Sequence, residues 1–419
     1  MAHIEPFRAL RYEQRTVGPL DAVVAPPYDV IDEEMRAELA ARSPFNVVEI
    51  DLPRIEGSDP YLHARTVFET WQQHGVIVHE HEPALWALTQ DYTGPDGRGH
   101  TRHGFFARVR VDEYGPGRIR PHERTHPGPK EDRLKLTRAT RANLSPVFSL
   151  FYDPDGQAWS ALEPATAGEP FGTAADADGT VNRLWRVDDP GAIQGVENVL
   201  RDSELLIADG HHRYETARIF AEELGGEGEH RYVLMFLCSL SDPGLTILPT
   251  HRLLTDLEDG QREALRKVVE RDFRVEEVAM GQLQPAPEEQ GVAFGYLDSF
   301  HGRPLRLTLA DQATADAALE GKPEPYRRLD TAVLEALVLR GALKMSEDDI
   351  SHKHGLDYAS NFDEAVDAVQ GGRAQAAFFM RPTPVDQVRQ VAEAGESMPP
   401  KSTYFFPKIP TGLVFNPLE

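Results

Sequence analysis

The run Leu205-Leu206-Ile207-Ala208-Asp209-Gly210-His211-His212-Arg213-Tyr214-Glu215-Thr216-Ala217 leaves the chain little freedom of local fold. Four apolar residues of strand type stop at Asp-Gly, and a helical period follows at once, with Tyr214, Ala217, Phe220 and Ala221 on its apolar face. The pattern predicts a strand, a tight turn and a helix. Such a turn collects what an anion needs: a glycine that admits close backbone approach, the unpaired first N–H groups of a helix, and the positive end of its dipole. Phosphate is the expected guest. Gly210 and His212 belong to its cradle, and Arg213 adds a forked cation. His211 donates to phosphate or moves a proton near neutral pH, and Asp209 either caps the helix or holds a divalent metal.

The chain of 419 residues has room for two or three domains, and its 40% hydrophobic and 27% charged residues are those of a globular protein. A net charge of −24 opposes general nucleic-acid binding and attraction to anionic lipid, so a phosphate site must be a local basic pocket. Cys238 is the single cysteine, which excludes an intramolecular disulfide and a cysteine metal cluster. The start Met-Ala-His-Ile-Glu-Pro-Phe has neither a basic nor an apolar leader region, and no apolar run reaches membrane-spanning length. A cytoplasmic protein without membrane partners is expected.

Along the chain, Asp21 to Ala25 reads as a short strand stopped by Pro26-Pro27, with Asp32 capping a helix over 33–41. Phe45 to Leu52 alternates as a strand does, and Trp86 to Tyr92 and His103 to Val109 predict a hairpin across Gly94-Pro95-Asp96-Gly97. A helix starting near Pro129 would align Lys130, Arg133, Thr137 and Arg141 as a basic face, read either as a phosphate surface or as a solvated helix side. Just before it, Glu123 stands between His122 and Arg124, where a carboxylate can take a proton beside phosphate. Residues 145–152 and 181–187 read as strands, 163–178 as a loop, and 190–202 as a helix. Further on, 231–240 and 244–250 read as strands, 326–340 and 361–370 as helices, 374–380 as a strand and 385–393 as a helix. Lys401, Ser402, Thr403 and Lys408 make a compact donor set, suited to an anion or to a docked C-terminal tail.

The Ala208 to Ala217 block resembles domain-of-unknown-function family 1015, as do Ala25-Pro26-Pro27-Tyr28-Asp29-Val30-Ile31, Pro121-His122-Glu123-Arg124-Thr125, Asn143-Leu144-Ser145-Pro146 and Met398 to Lys408. Its Asp-Gly-His-His-Arg segment is also similar to the Asp-Gly-His-x-Arg block of free-serine kinases of the ParB and sulfiredoxin superfamily. That resemblance implies an α/β protein with α+β elements, built as a ParB/sulfiredoxin-like nucleotide-binding core at 116–255 between lobes at 1–115 and 256–419. It implies Asp209, His211 and Arg213 on phosphates or Mg, with Glu123 as the base on a hydroxyl. The expected activity is Mg-dependent phosphoryl transfer from ADP or ATP to a small hydroxylated metabolite, serine first. Lys130, Arg133, Lys401 and Ser402 are expected on the nucleotide and Asp209 on the metal. Two other classes stay open: a non-catalytic nucleotide-binding regulator, and a metal-dependent hydrolase using Asp209, His211, His212 and His251. Oligomeric state is open too, a homodimer being one candidate.

Overall fold

Strand-forming hairpins dominate the first half of the chain. The structure, a computed structural model, describes residues 3–123 and 127–419, with the side chains of 127–129 also left aside. Arg124, Thr125 and His126, and the side chain of Pro129, therefore lie outside the described residues. Contacts divide the chain into two units: Met1–Pro121, Thr125–Thr246 and Pro407–Glu419 form the first, and His122–Arg124 with Ile247–Phe406 the second. Both are mixed α/β.

In the first unit the sheet strands are β1 (Ile4–Glu5), β2 (Leu85–Thr93), β3 (Gly99–Arg110), β4 (Ile119–Pro121), β5 (Val147–Phe151), β6 (Gly172–Ala175), β7 (Val181–Val187), β8 (Leu205–Asp209) and β9 (Tyr232–Ser239). They lie in the order β4-β8-β5-β9-β3-β2-β7-β6, with β1 also paired to β3. β2 and β3 form the expected hairpin, in register from Trp86 opposite Phe106 to Thr93 opposite Gly99. The β4–β8 and β5–β9 pairs are parallel, and β8 runs antiparallel to β5. Helices α1 (Pro127–Thr140), α2 (Gln157–Thr166), α3 (Pro190–Leu200) and α4 (His211–Leu224) belong to this unit. α3 starts as its sequence prescribes, with Pro190 in the first turn and Asp189 accepting from Ala192 N at 2.8 Å. Phe105, Phe151, Leu162, Val196, Ile207 and Leu237 are among the residues of the core between these helices and the sheet.

The second unit holds a separate antiparallel sheet of β10 (His251–Leu254), β11 (Phe273–Glu277), β12 (Ala293–Asp298), β13 (Leu305–Leu309), β14 (Leu356–Ala359) and β15 (Ala376–Phe379), in the order β11-β13-β12-β15-β10-β14. Helices α5 (Asp259–Asp272) and α6 (Phe362–Gln370) accompany it. No helix among the described residues is long and apolar enough to cross a membrane.

Four local expectations are corrected. Residues 45–52 are not a strand: Val48–Asp51 is a helical turn, because the buried Asn46 carboxamide accepts from Val48 N at 3.1 Å and donates to the Ala22 and Val24 carbonyls. The Asp21–Ala25 strand shrinks to one bridge between Ala25 and Thr411 beside a tight turn at Leu20–Ala22. Residues 163–178 are not one loop, since α2 runs through Glu163 to Thr166 and β6 follows; the Asp153 carboxylate nucleates α2 by accepting from Gln157 N and Ala158 N. The helix expected over 326–340 is broken into Glu324–Arg327, Asp330–Leu334 and a wider π-helical stretch, Glu335–Ala342. Asp32, by contrast, caps Glu33–Arg42 as expected, accepting from Met35 N at 2.8 Å.

Gly104 on β3 faces the Phe236 ring, and a Cβ there would lie 2.6 Å from the Leu237 carbonyl oxygen as well as inside the ring's contact shell. Gly104→Ala should therefore lose about 2 kcal/mol of stability through overpacking, read as a lowered urea midpoint; an unchanged midpoint would show that β3 and β9 can part at no cost.

Candidate functional site

The end of β8 decides the geometry. Pairing with β5 slips between Ile207, opposite Ser149, and Asp209, opposite Phe148, so the strand bulges as it ends. Gly210 then turns left-handed, at φ 87° and ψ 30°, and α4 begins at His211 with Tyr214 N bonded to the Gly210 carbonyl at 3.0 Å. The strand, turn and helix read from the sequence are all present. Glycine is required twice over: for the positive φ, and because a Cβ would sit 2.9 Å from Arg213 Nε.

Asp209 does not cap the helix. Its Oδ1 accepts from Lys408 Nζ at 3.0 Å and its Oδ2 from Arg213 Nη2 at 2.6 Å. Arg213 is folded back beneath Gly210, with Nη1 on the Pro146 carbonyl and Nε buried without a partner. Burial by itself would raise the proton affinity of Asp209, but the Lys408 ammonium and the Arg213 guanidinium outweigh it and hold the carboxyl far below the usual range. Lys408 and Arg213 thus both bear on Asp209 beside the helix N-terminus, whose dipole adds partial positive charge. His211 and His212 open α4, both half-buried.

Of the expected donor set in the tail, Lys408 is the member that reaches Asp209, 199 residues before it, a pairing the sequence did not reveal. It is delivered by a polar clamp on the tail. Arg102 Nη2 donates to the Pro407 carbonyl at 2.5 Å, and Gln90 Nε2 to the Lys408 carbonyl at 3.0 Å. Arg102 Nε meets Gln90 Oε1 at 3.0 Å, and Gln90 also donates to Asn182 Oδ1. The Arg102 guanidinium is fully buried, 4.8 Å from the Phe148 ring centroid and 5.7 Å from that of Phe236. Burial pulls its pKa down to about 10, which still leaves it charged at neutral pH. A signal existed: Arg102 shares strand parity with Gly104 and Phe106, so a period-two reading places it inside.

The other expected residues divide. Arg133 is buried on α1, donating to the Asp51 carboxylate at 3.0 Å and to Asp132 at 2.6 Å, and stacking 4.3 Å from the Tyr28 ring centroid. Burial pushes the Asp51 carboxyl above its usual range, with Arg133 pulling the other way. The face expected to be basic is thus largely neutralised, for Arg141 also meets Glu419 at 3.5 Å. Lys130 is half-buried on the same helix and its carbonyl accepts from Thr216 Oγ1 at 3.5 Å. Glu123, Lys401 and Ser402 gather in the second unit, where Glu123 Oε1 accepts from Ser402 N at 3.2 Å and Thr403 N at 3.4 Å. Lys401 takes a left-handed φ of 58° to make that turn, and the Ser402 hydroxyl donates to the Pro399 carbonyl at 2.7 Å. His122 Nε2 and Thr403 Oγ1 are 2.6 Å apart beside them.

Among the described residues no group of three or more His, Cys, Asp and Glu side chains is placed to hold one metal ion. His251, expected as a ligand in the hydrolase reading, is buried on β10 of the second unit, its Nδ1 accepting from Met380 N at 3.1 Å. Burial, with Arg252 adding to it, drags its pKa to about 4. It is a neutral core histidine.

Residues 4–332 match the family described as "Protein of unknown function (DUF1015)", and the chain belongs to that family. No protein of curated function matches it. Similar solved structures include a conserved hypothetical protein from Pyrococcus furiosus, 14% identical with a TM-score of 0.37, covering 73% of this chain and 92% of that one. Another is a free serine kinase in complex with AMP, 13% identical with a TM-score of 0.38, covering 72% and 86%. A third is SbnI with a C-terminal truncation from Staphylococcus aureus, 12% identical with a TM-score of 0.37, covering 73% and 85%.

Arg133→Met should strand the buried Asp51 carboxylate and lower stability by about 3 kcal/mol; thermal unfolding checks this, and an unchanged midpoint would return Arg133 to the role of a ligand-binding cation. Asp209 gives a pH prediction. Its folded pKa lies below the unfolded value of about 3.9, so its contribution is complete above that pH and is lost as pH falls through the folded value. The stability deficit of Asp209→Asn should be full at neutral pH and shrink below pH ~4, measured as urea midpoints at a series of pH values; a deficit independent of pH would contradict the ion cluster.

Proposed function

We propose that this family member is a phosphotransferase, binding a nucleotide at the start of α4 and moving a phosphoryl group to a small hydroxylated metabolite, with serine as first candidate. The observation that carries the reading is the ion cluster at a strand end: Asp209 clasped by Lys408 and Arg213 where a left-handed glycine opens a helix. Phosphoryl transfer needs positioning and charge neutralisation above all, and helix N–H groups with two fixed cations supply both. The likeness of Asp209-Gly210-His211-His212-Arg213 to the phosphate-holding block of free-serine kinases points the same way.

In this reading Lys408 and Arg213, both paired with Asp209, share their charge between that carboxylate and an incoming phosphate. His211 and His212 supply ring donors at the same turn. Mg and its Asp209 ligand belong to this reading with one condition: both Asp209 oxygens accept from Lys408 and Arg213, so the carboxylate would hold Mg only once one of those cations has turned to the phosphate. When bound, Mg would neutralise charge on the transferring group. Glu123 is the proposed base on the acceptor hydroxyl; the Ser402 and Thr403 N–H groups that donate to its Oε1 fix the carboxylate's orientation. A cytoplasmic setting, where Mg and ADP or ATP are available, belongs to this reading.

Thermal unfolding with Mg and, separately, ADP, ATP, CTP and GTP tests it. A nucleotide at one hundred times its Kd should add about 2.7 kcal/mol, and Lys408→Met or Arg213→Ala should abolish the shift. With the binding nucleotide, serine should yield a phosphorylated product that Glu123→Gln reduces at least a hundredfold. No shift with any nucleotide would overturn the reading, and binding without transfer to any hydroxylated acceptor would leave a nucleotide-binding regulator.

A further inference from the structure

A second cavity lies in the first unit, with a volume of about 380 Å³, inside the range of small-molecule sites. Adjacent strand residues point to opposite faces. His103 lines this cavity, and its neighbour Arg102 holds the Pro407 carbonyl, so the cavity opens on the face of the sheet away from the Lys408 clamp. It uses the ends of β5 and β9, whereas Asp209 is at the end of β8, which runs the other way from β5.

Its floor is apolar, formed by Phe105, Phe151 and Leu237. On its wall His103 Nδ1 lies 3.0 Å from Asp242 Oδ2, and the ring rests against Trp159 with centroids 4.6 Å apart. Asp242 is itself fixed by Gly244 N, which donates to Oδ1 at 2.9 Å. With the His103 proton on Nδ1 and turned to Asp242, Nε2 is left an acceptor, and it makes no bond within the described protein nor is it shut away from solvent. Asp155 is exposed at the rim. Among the described residues lining the cavity there is no lysine or arginine. Ser160, Ser239 and Ser241 add hydroxyls, but Asp153, Asp155 and Asp242 without a lysine or arginine oppose an anion. A ligand with N–H donors, positive charge and a small apolar body suits this lining: its donors meet His103 Nε2, its charge meets the Asp155 carboxylate and the Trp159 ring, and its body covers the floor.

We infer that this cavity is a binding site for a small primary amine carrying an apolar or aromatic group, separate from the anion site at Asp209. Phenethylamine is the probe and 3-phenylpropionate its anionic counterpart, each titrated into the full chain and followed by ligand-observed NMR saturation transfer. The amine should bind saturably and the carboxylate should not. Asp155→Lys, a rim change that leaves the packed wall intact, should weaken the amine at least tenfold, and Trp159→Leu should do the same. Amine binding should be the same with and without saturating ATP and Mg, so this result is independent of the nucleotide reading. No saturable amine binding, equal binding of amine and carboxylate, or affinity indifferent to Asp155→Lys in the folded variant would each overturn the inference.

Discussion

A carboxylate at the end of a buried strand cannot stand alone, because desolvation of an unpaired charge costs several kcal/mol. Asp209 is in that position, and its solution shapes the first unit. One cation comes from the next turn of chain, Arg213, whose guanidinium lies beneath a glycine that has no side chain to obstruct it. The other comes from the far end of the sequence. Bringing it there takes a second buried cation, Arg102, between two phenyl rings and fixed by Gln90, to grip the tail on either side of the Pro407–Lys408 peptide. The chain returns to the first unit at Pro407–Glu419 for this contact and others, including Asn416 of the tail paired with Asn143.

The electrostatics of the protein follow from the same need. With a net charge of −24, most basic side chains have an acidic neighbour within reach, and the helix face that looks basic in sequence is quiet in space. Arg133 holds Asp51, Arg138 meets Glu223, and Lys135 meets Glu131. At the start of α4 two cations meet one carboxylate next to the positive end of a helix.

The strand β3 shows how two chemistries are kept apart on one sheet. Arg102 faces the tail clamp, His103 faces an acidic, aromatic cavity, and one residue of pleat separates cation-rich from carboxylate-rich surroundings. Neither ligand class has reason to visit the other's surface.

Much was legible because it is local. A strand that stops at Asp-Gly before a helical period needs no distant information, and neither does a hairpin across Gly-Pro-Asp-Gly or a helix begun by Asp189-Pro190; each is written in residues within a few positions of one another. The segment at 45–52 misled for a physical reason, since its alternation is real but the Asn46 carboxamide offers the backbone better partners than a neighbouring strand. Local residues were enough to fix the strand, left-handed turn and helix at Asp209–Gly210, the family and the acidic background. Only the tertiary structure decided that Asp209 would face cations instead of capping its helix, that Lys408 rather than Arg133 would stand beside it, and that Ser402 would turn its hydroxyl inward to a carbonyl. Those choices depend on which chain segments meet after folding, and the energy of pairing a buried charge depends on that meeting rather than on spacing along the chain.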